Sequence, residues 1–465
     1  MDLPKQFLER MKKMLGNDYN NFLNSYNKQN IFSLRLNPLK DTLKILNNFT
    51  EPVPWAKYGF YYNDNLKPGK SIFHDTGLYY IQEASAMSVA EILAPSENDT
   101  VLDLCAAPGG KSTQIATLMN NKGLLVSNEI ISKRATILAD NIARLGITNT
   151  VVLNESPESI ANKFQNYFDK ILVDAPCSGE GMFRKNPEAI SEWSEENVKM
   201  CQERQLNILN TIKACLKPNG TLVYSTCTFS PEEDEQVIEQ FLLENPEFTL
   251  AEIDNTYFSK GIISNTKHNF KNIEKTVRIF PHITNGEGHY IAKMIKNGDS
   301  FGTITTKSLK SNIDKKSLEI LNKFLNDCSI NLTQGILLNF NNHLYLAPQN
   351  TPNLDKLKIQ MAGLYLGEID KNKIFIPSHN LALALKPVNT LFNTPYNQPI
   401  TTKYIELNES QLRNYINGLT IDTDTNLTGW TLITYNNNSV GWGKIVNSTI
   451  KNHYPKYLRK NELNY

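Results

Sequence analysis

The sequence predicts an α/β protein: a central domain with a mostly parallel β-sheet, a small α+β region before it and an α+β or β domain after it. Two observations support this prediction. Between about residues 98 and 295, short apolar segments alternate with amphipathic segments of helical length, as in a parallel sheet that is covered by helices. Outside this region the pattern changes, to helical spacing before it and to short strands with Asn-rich turns after it.

The composition is that of a globular protein with several domains. Of the 465 residues, 40% are hydrophobic and 20% are charged, which is enough to form sizeable cores. The net charge of +1 predicts no overall attraction to nucleic acid, so a polyanion would have to bind to local patches. The start, MDLPKQFLERMKKML, lacks the apolar region of a signal peptide, and no segment reaches the ~18 apolar residues of a membrane span.

Cysteine usage predicts a reduced, cytoplasmic protein without a metal site. The six cysteines show no CxxC spacing, and reduced thiols are the rule in the cytosol. We expect Cys201, Cys215 and Cys328 to be core residues, because free cysteine is among the most buried residue types. Cys105 can likewise be a core residue, or it can belong to a functional site.

The N-terminal region, residues 1–90, begins with apolar residues at helical spacing, among them Phe7, Met11 and Phe22. This spacing predicts two short amphipathic helices. IFSLRLNP alternates like a half-buried strand. TGLYYIQEASAMSVAEIL then predicts a helix that enters the next domain.

The central domain, residues 91–296, contains five predicted strands: DTVLDLC, GLLVSNE, TVVLNE, KILVDA and GTLVYSTC. The predicted helices between them include GGKSTQIATLM, SKRATILADNIARLG and a long helix that ends in KPNG. RIFPHITNGEGHYIAKMI predicts a closing hairpin. This order predicts a parallel sheet that is covered on both faces.

The last third of the chain differs in character. Residues 297–312 are polar and aperiodic and predict a linker. Residues 313–390 predict a middle α+β region, and residues 391–465 predict a final domain. In that domain GWTLITYNNNSVGWGKIV predicts a β-hairpin with an Asn-rich turn.

The loop after the first central strand predicts a cofactor site. LDLCAAPGGK places small residues and two glycines between a strand and a helix, at the carboxyl edge where open α/β sheets bind ligands. Glu129 ends the second strand, where a carboxylate can accept both hydroxyl groups of a ribose. The GxGxxG and P-loop patterns are absent, so S-adenosylmethionine is favoured over NAD or ATP. A structural turn beside a solvated Glu129 is the alternative.

Two cysteines follow strands at the same predicted edge. DAPCSGEG carries Asp174 and Cys177 after the fourth strand, and YSTCTFSPEEDE carries Cys227 after the fifth. Because parallel strands end at one edge, the three side chains can converge. Taken alone, Cys177 fits an enzymatic nucleophile, a metal ligand or a small core residue at a tight turn.

A thiol and a carboxylate beside a methyl donor suit methylation at carbon 5 of a pyrimidine. That carbon becomes nucleophilic enough only after a thiolate has added at carbon 6. An acid near ring nitrogen 3 assists the addition, and Asp174 is the candidate. A base must then remove the carbon 5 proton before the thiolate leaves, so two thiols can divide addition and elimination.

The strings DLCAAPGGK, DAPCSGEG and YSTCTFSPEEDE resemble, in order and spacing, the signature motifs of the Nop/Sun family of RNA (cytosine-5)-methyltransferases. LRLNPLK, YIQEASAM, GMFRKNPE and GWGKIVNSTIKNHYPKYLR resemble its bacterial RsmF-type branch, which methylates 16S ribosomal RNA. The resemblance covers nearly the whole chain. It implies a Rossmann-like methyltransferase domain, a PUA-like RNA-binding domain, S-adenosylmethionine as cofactor, and ribosomal RNA or the small ribosomal subunit as partner of a monomeric enzyme.

The resemblance also implies roles for single residues. Cys227 matches the nucleophile, Cys177 the cysteine that aids product release, and Asp174 the acid that contacts the base. The positions that match the cofactor site are Cys105, Ala106, Ala107, Pro108, Gly109, Gly110, Lys111, Glu129, Arg134 and Asp174. The third strand departs from the family pattern, because NESPE offers Glu155 or Ser156 where an Asp is usual near the adenine.

Local sequence around Cys227 has opposing effects. Ser230 and Pro231 predict an N-cap and the first residue of a helix, whose positive end would lower the pKa of a nearby thiol. The acids of the EED run, residues 232–234, would occupy the first turn and oppose a thiolate. The sequence leaves this balance open.

The last 25 residues predict RNA contact. The basic residues there are Lys444, Lys451, Lys456, Arg459 and Lys460, against the single acid Glu462. Trp442, Tyr454 and Tyr457 lie among them, and basic residues with aromatic ones suit phosphate contact and base stacking. A solvated tail is the alternative. Further candidates for RNA contact lie near the edge of the predicted sheet, namely Lys133, Arg134, Arg184 and Lys185.

Two other functions compete with ribosomal RNA methylation. In a DNA cytosine methyltransferase the cysteine of the PC pair attacks, so Cys177 would be the nucleophile and Cys227 dispensable. A ribosome-assembly factor would bind RNA without catalysis. The intact motifs at three strand ends argue against the second alternative.

Overall fold

The computed structural model describes most of the chain. The described residues are 2–46, 49, 51–254, 256–298, 307–388 and 396–459. Most of the predicted linker, the predicted boundary at 390 and 391, and Lys460 and Glu462 lie outside these residues. No helix within the described ranges is long and apolar enough to span a bilayer.

The N-terminal region forms a small sheet with helices around it. Its elements are α1 (Lys5–Leu15), α2 (Tyr19–Ser25), β1 (Phe32–Leu36), α3 (Leu43–Leu46), β2 (Glu51–Pro52), β3 (Gly59–Tyr62), α4 (Ile72–Asp75), β4 (Tyr79–Ile81) and α5 (Ala84–Leu93). The sheet order is β2-β3-β1-β4. The two amphipathic helices and the strand in IFSLRLNP are confirmed, but the predicted helix begins only at Ala84, because residues 79–81 pair with β1.

The central region contains the predicted parallel sheet. Its elements are β5 (Thr100–Asp103), α6 (Gly110–Leu118), β6 (Leu124–Asn128), α7 (Ser132–Arg144), β7 (Thr150–Leu153), α8 (Pro157–Lys163), β8 (Phe168–Asp174), α9 (Pro187–Glu192), α10 (Glu195–Ile212), β9 (Leu216–Thr226), α11 (Glu235–Glu244), β10 (Phe248–Leu250), β11 (Ser259–Lys260), β12 (Val277–Ile279) and β13 (His289–Lys296). All five predicted strands and the closing hairpin are confirmed.

The order of the strands creates the site. The sheet runs β11-β12-β13-β9-β8-β5-β6-β7-β17, where β17 (Ile359–Ala362) comes from the C-terminal part and pairs antiparallel with β7. The pairs from β9 to β7 are parallel. From β5 the chain winds outward through β6 and β7, and it then returns to the other side of β5 with β8. Ligands of open α/β sheets bind where the order reverses, which here is at the carboxyl ends of β5 and β8.

Both faces of this sheet are buried. In β5, Val101 belongs to one hydrophobic cluster and Leu102 to the other. In β9, Val223 belongs to the same cluster as Val101, and Tyr224 to the same cluster as Leu102. Since successive side chains of a strand point to opposite faces, the two clusters are the two layers of core that a parallel sheet requires.

The predicted end of the long helix is wrong. Helix α10 ends at Ile212, and KPNG lies inside β9. Leu216 already pairs with Phe168, after which the register shifts and Asn219 takes a φ of 63°. The turn residues of KPNG thus form an irregularity within the strand.

The described residues of the C-terminal part form two larger sheets and a three-stranded sheet of residues 330–331, 400–401 and 386–387. Its elements are α12 (Lys315–Asp327), β14 (Ile330–Asn331), β15 (Gly335–Phe340), β16 (His343–Pro348), β17 (Ile359–Ala362), β18 (Leu364–Ile369), β19 (Phe375–Pro377), α13 (His379–Ala384), β20 (Lys386–Pro387), β21 (Ile400–Thr401), β22 (Tyr404–Glu406), α14 (Glu409–Ile416), β23 (Ile421–Asp422), β24 (Gly429–Tyr435), β25 (Asn438–Val446) and β26 (Thr449–Asn452). The sheet orders are β15-β16-β18-β19 and β22-β24-β25-β26-β23. The hairpin of β24 and β25 confirms the prediction for GWTLITYNNNSVGWGKIV.

Arg278 on β12 joins the closing hairpin to the segment after β9. It is 1% exposed. Its guanidinium lies 3.0 Å from the carboxylate of Asp234 and donates a 2.6 Å hydrogen bond to Glu235 Oε1. Three buried charges therefore depend on one another.

We expect Arg278→Met to lower the free energy of unfolding by about 3–5 kcal/mol, because two buried carboxylates lose their partner. The control is Arg413→Met, which breaks an exposed pair with Glu409 that is worth less than about 1 kcal/mol. Urea denaturation followed by circular dichroism measures both losses. Equal losses in the two variants would contradict the assignment.

Candidate active site

The loop between β5 and α6 is built for close approach to a ligand. Gly109 has a φ of 112°, which favours glycine, and α6 begins at the next residue. The amide of Ala106 donates to the carbonyl of Asn128 over 2.8 Å. The predicted loop residues therefore lie between the carboxyl ends of β5 and β6.

A buried carboxyl group lies below this loop. Asp103 ends β5 and is fully buried. Its Oδ2 accepts a 2.6 Å hydrogen bond from Ser112, whereas its buried Oδ1 has no partner among the described residues. Burial raises the pKa of Asp103 to about 7, although the Ser112 hydroxyl opposes this. Sequence reasoning did not single out Asp103.

Arg134 connects the loop with Glu129. It donates a 2.9 Å hydrogen bond to the carbonyl of Ala107 and lies 3.3 Å from Glu129 Oε2. The other oxygen, Oε1, accepts from the amide of Ile131 over 2.9 Å. The predicted cofactor residues Glu129 and Arg134 thus meet at the edge of the loop.

Asp174 is held ionised at the end of β8. Its carboxylate accepts 2.7 Å hydrogen bonds from Lys111 and from Ser225. Burial is the largest single effect and opposes ionisation, but the charge of Lys111, the nearby His289 and the hydrogen bonds from Lys111 and Ser225 together lower the pKa of Asp174 below its ordinary value. Burial also works against the charge of Lys111, whose pKa is nevertheless raised, by Asp174 first and in smaller part by Cys227.

The two cysteines meet. The Sγ atoms of Cys177 and Cys227 are 3.2 Å apart, both thiols are free and both residues are half-buried. The amide of Cys227 also donates to Cys177 Sγ over 3.4 Å. The hydrogen bond to Cys227, together with burial, raises the pKa of Cys177. Cys177 therefore keeps its proton and can donate it to the sulfur of Cys227.

The last glycine of DAPCSGEG, Gly181, lies where this segment passes the segment that carries Cys227. The amide of Gly181 donates to the carbonyl of Cys227 over 2.9 Å. A Cβ at Gly181 would lie 2.9 Å from that same oxygen and 2.6 Å from the carbonyl oxygen of Gly288. Only glycine fits where the two cysteine loops pass each other.

Comparison with known proteins places this arrangement in a family. The sequence family described as "16S rRNA methyltransferase RsmB/F" matches residues 90–295. The N-terminal domain, the first C-terminal domain and the PUA domain of RsmF match residues 3–84, 323–385 and 402–460. "Ribosomal RNA small subunit methyltransferase F" of Shewanella oneidensis is 31% identical over 426 residues, which cover 89% of this chain and 86% of that protein.

The chain belongs to the RsmF family of ribosomal RNA small subunit methyltransferases.

A second relative supports the assignment to the RsmF family, and a solved structure supports the methyltransferase fold. The protein of the same name from Vibrio vulnificus is 31% identical over 479 residues, or 98% of this chain and 97% of that one. A solved methyltransferase homologue from Pyrococcus horikoshii is 32% identical, with a TM-score of 0.56 over 63% of this chain and 95% of that chain. The expected methyltransferase fold with a PUA-like C-terminal domain is therefore confirmed.

In this RsmF-family chain, Glu233 fixes the position of Cys177. Its carboxylate accepts hydrogen bonds from the amide of Ser178 over 2.9 Å, from the Ser178 hydroxyl, and from Gln205 over 3.0 Å. Its own carbonyl accepts a 2.7 Å hydrogen bond from the hydroxyl of Tyr224 on β9. Burial raises the pKa of Glu233 to about 7.

Glu180 fixes the other side of the same loop. It is fully buried and accepts from Trp193 over 2.7 Å, from the amide of Phe229 over 3.3 Å, and from Arg10 of α1. The N-terminal helices thereby contact the cysteine loops. Sequence reasoning missed this role, although GMFRKNPE beside Glu180 was among the family-like segments.

The prediction of a helix start at Ser230 is wrong. Helix α11 begins at Glu235, with Asp234 before it. Residues 231–234 form turns, since Glu233 binds the Cys177 loop and Asp234 binds Thr226 and Arg278. Of the three acids that the sequence placed in the first turn of a helix, Glu233 and Asp234 are buried and bonded, and Glu232 is half-buried.

Some predicted RNA-contacting residues are buried. Trp442 and Tyr454 are each 3% exposed and belong to two hydrophobic clusters. Arg184 is 7% exposed and makes two 2.9 Å hydrogen bonds to Glu287. These predictions are wrong, because apolar packing and ion pairing use these side chains. Tyr457 is 83% exposed.

The remaining candidates lie at the surface. Lys444 is half-buried, and the exposed residues are Lys133, Lys451, Lys456 and Arg459. The candidates near the adenine make other contacts: Glu155 accepts from the amide of Lys358 over 2.6 Å, and the Ser156 hydroxyl caps α8. The expected core cysteines Cys201, Cys215 and Cys328 are buried.

We expect Asp103→Asn to remove a pH dependence of stability. The pKa of Asp103 in the folded protein, about 7, exceeds its ordinary value of 3.8. The stability that the protonated carboxyl group contributes to the fold is therefore complete below pH 3.8 and is lost as the pH rises through 7. The variant should therefore gain roughly 2–3 kcal/mol in free energy of unfolding relative to wild type between pH 5 and 8. Thermal unfolding at the two pH values measures this, with exposed Asp254→Asn as control. A pH-independent difference would contradict it.

Proposed function

We propose that the protein forms 5-methylcytosine in 16S ribosomal RNA, with S-adenosylmethionine as methyl donor and Cys227 as nucleophile. The single observation that carries the proposal is the 3.2 Å approach of the sulfur atoms of Cys177 and Cys227. Membership of the RsmF family supports ribosomal RNA as the substrate. Two adjacent thiols beside an ionised Asp174 suit a reaction that adds a thiolate to a ring and later expels it.

The residues around the loop after β5 fit S-adenosylmethionine. The unpartnered Oδ1 of Asp103 is an acceptor for an ammonium group, and the carboxylate of Glu129 is an acceptor for ribose hydroxyls. We assign the cofactor site to residues 105–111 with Glu129, Arg134 and Asp174. When bound, the cofactor supplies an electrophilic methyl group next to the cysteines.

In the proposed reaction Cys227 attacks carbon 6 of the cytosine as a thiolate. The carbon–sulfur bond forms and the ring electron pair moves to carbon 5. Carbon 5 would then take the methyl group of the donor, whose sulfur would keep the electron pair of the broken methyl–sulfur bond. Water then accepts the carbon 5 proton, the double bond returns, and Cys227 leaves as a thiolate. Cys177 keeps its proton and stabilises that leaving thiolate through a hydrogen bond.

Asp174 is the proposed partner of the cytosine ring. Its carboxylate is fixed by Lys111 on one oxygen and by Ser225 on the other. A carboxylate in this position can accept a hydrogen bond from the amino group of the cytosine, and one from nitrogen 3 once that nitrogen carries a proton in the adduct. The target cytosine must leave its stack to reach these groups.

We further propose that the parts outside residues 91–296 hold the RNA. Residues 1–90 would form an RNA-recognition region, residues 313–390 a middle region and residues 391–465 a PUA-like RNA-binding domain. The RsmF domain matches at residues 3–84, 323–385 and 402–460 support this division. The proposed RNA contacts of the last domain are Lys444, Lys451, Lys456 and Arg459.

Deletion of the gene should abolish at least one 5-methylcytosine in 16S ribosomal RNA, because the two cysteines that add to the ring and release it are then absent. Bisulfite sequencing of ribosomal RNA measures the loss. A plasmid copy should restore the signal, whereas a copy with Cys227→Ala should not. Unchanged methylation in the deletion strain would overturn the proposal.

The two cysteines should give opposite results when a covalent adduct is measured. Cys227→Ala should form no protein–RNA adduct, because the attacking sulfur is gone. Cys177→Ala should accumulate the adduct, because the leaving thiolate has lost its hydrogen-bond donor. Denaturing gel electrophoresis after incubation with labelled RNA and S-adenosylmethionine measures both.

The matched control is Cys215→Ala, which removes a buried thiol between α10 and β9 that bonds to the carbonyl of Ile160 and should turn over like wild type. If Cys177→Ala forms no adduct while Cys227→Ala does, the roles are reversed, as in a DNA-type cytosine methyltransferase.

A further inference from the structure

A cleft with a strongly positive lining lies outside the cysteine site. It has a volume of about 610 Å³ and lies between α12, the turn before β19, and the strands β24 and β25. Its charged lining residues are Lys323, Lys373, Lys403, Lys444 and Asp327. Four ammonium groups against one carboxylate contrast with the net charge of +1 for the whole chain, so this surface concentrates positive charge.

The positive charges of three of these lysines are not neutralised by a carboxylate in their contacts with other described residues. Lys323 and Lys373 are exposed. Lys403 donates a 2.7 Å hydrogen bond to the backbone carbonyl of Asp327, which leaves its charge in place. At the rim, Lys316 lowers the pKa of Lys373, through a hydrogen bond first and then through repulsion between like charges. A bound anion would relieve that repulsion.

A tryptophan lies among the lysines of the cleft. Trp430 at the start of β24 is half-buried and lines the cleft. The Nζ of Lys444 lies 5.8 Å from the centroid of its ring. Buried Trp442 packs edge-on against it, with centroids 6.4 Å apart. The ring of His453 also lies against it, with centroids 4.3 Å apart. The indole is therefore held in place by neighbouring rings at the wall of the cleft, where its exposed part can meet a base.

Two family-matched segments build the cleft jointly. Lys323 and Lys373 lie in residues 323–385, which match the first C-terminal domain of RsmF. Lys403, Trp430 and Lys444 lie in residues 402–460, which match its PUA domain. A hydrogen bond from Cys328 Sγ to the carbonyl of Trp430, 3.5 Å long, joins the two segments behind the ring. The binding surface thus exists only where both segments dock.

We infer that this cleft binds a single-stranded segment of the RNA substrate, with an unpaired base stacked on Trp430 and the flanking phosphates on the lysines. The inference rests on the proposed function for the identity of the substrate. Positive charge alone would serve duplex RNA or an acidic protein equally. The aromatic ring favours single strands, because only an unpaired base exposes its face for stacking.

The test compares binding of two RNA probes to the full-length protein. The probes are a fluorescein-labelled single-stranded oligonucleotide without the target cytosine and a duplex of equal length, and anisotropy is measured at several salt concentrations. Trp430→Leu should weaken single-strand binding about ten-fold or more and leave duplex binding unchanged. Lys323→Ala/Lys373→Ala should reduce the slope of log affinity against log salt by about 1.4, or ~0.7 per phosphate contact.

The control is Lys199→Ala/Lys271→Ala, which removes two exposed lysines elsewhere and should leave both affinity and slope unchanged. The lysine variant keeps the test valid if Trp430→Leu fails to fold. All variants should still form the Cys227 adduct with a short target RNA, so a failure of the cysteine chemistry is distinguishable from a failure of the cleft.

Two results would overturn the inference. One is single-strand affinity and salt slope that are unchanged in both cleft variants. The other is a polyglutamate peptide that binds with the same dependence on the lysines while RNA binding does not depend on Trp430. The second result would make the cleft a docking site for an acidic protein.

Discussion

The hydrogen bonds between Glu233 and the Ser178 backbone and hydroxyl hold the Cys177 loop against the strand that carries Cys227. Glu233 is itself anchored to that strand by Tyr224, so the two cysteine loops share one carboxylate. The amide of Gly181, which bonds to the carbonyl of Cys227, closes the same contact from the other side. With the backbones joined at both ends, the sulfur atoms meet without a covalent bond.

The charges around this contact are arranged in buried pairs. Lys111 is paired with Asp174, and Arg278 with Glu235 and with Asp234, whose pKa burial raises well above its ordinary value. Glu180 is paired with Arg10, which comes from the N-terminal helix α1. Buried carboxylates are costly unless they are paired or hydrogen-bonded. The closing hairpin and the N-terminal helices therefore take part in the site, because they supply the cations that its acids need.

Several features of the fold and the site follow from local sequence. Alternation of apolar segments predicted the parallel strands, and their shared edge predicted that Asp174, Cys177 and Cys227 lie together. Other features depend on contacts between distant segments. Ser230 followed by Pro231 is a good helix start by local preference. The residues that follow include two buried acids, Glu233 and Asp234, which form hydrogen bonds and an ion pair instead of the first turn of a helix. Trp442 and Tyr454 lie among basic residues in the sequence, and only the packing of the final sheet shows that they belong to its core.

The sequence by itself determined the order of strands and helices, the loops at the carboxyl edge and the family resemblance that its motifs carry, because these depend on periodicity and on short strings of residues. The tertiary structure decided which groups surround the two thiols and which lysines gather around Trp430. Glu233 reaches Ser178 across 55 residues, and Lys323 shares a cleft with Lys444. Contacts over such separations arise from the packing of whole elements, and no local pattern encodes them.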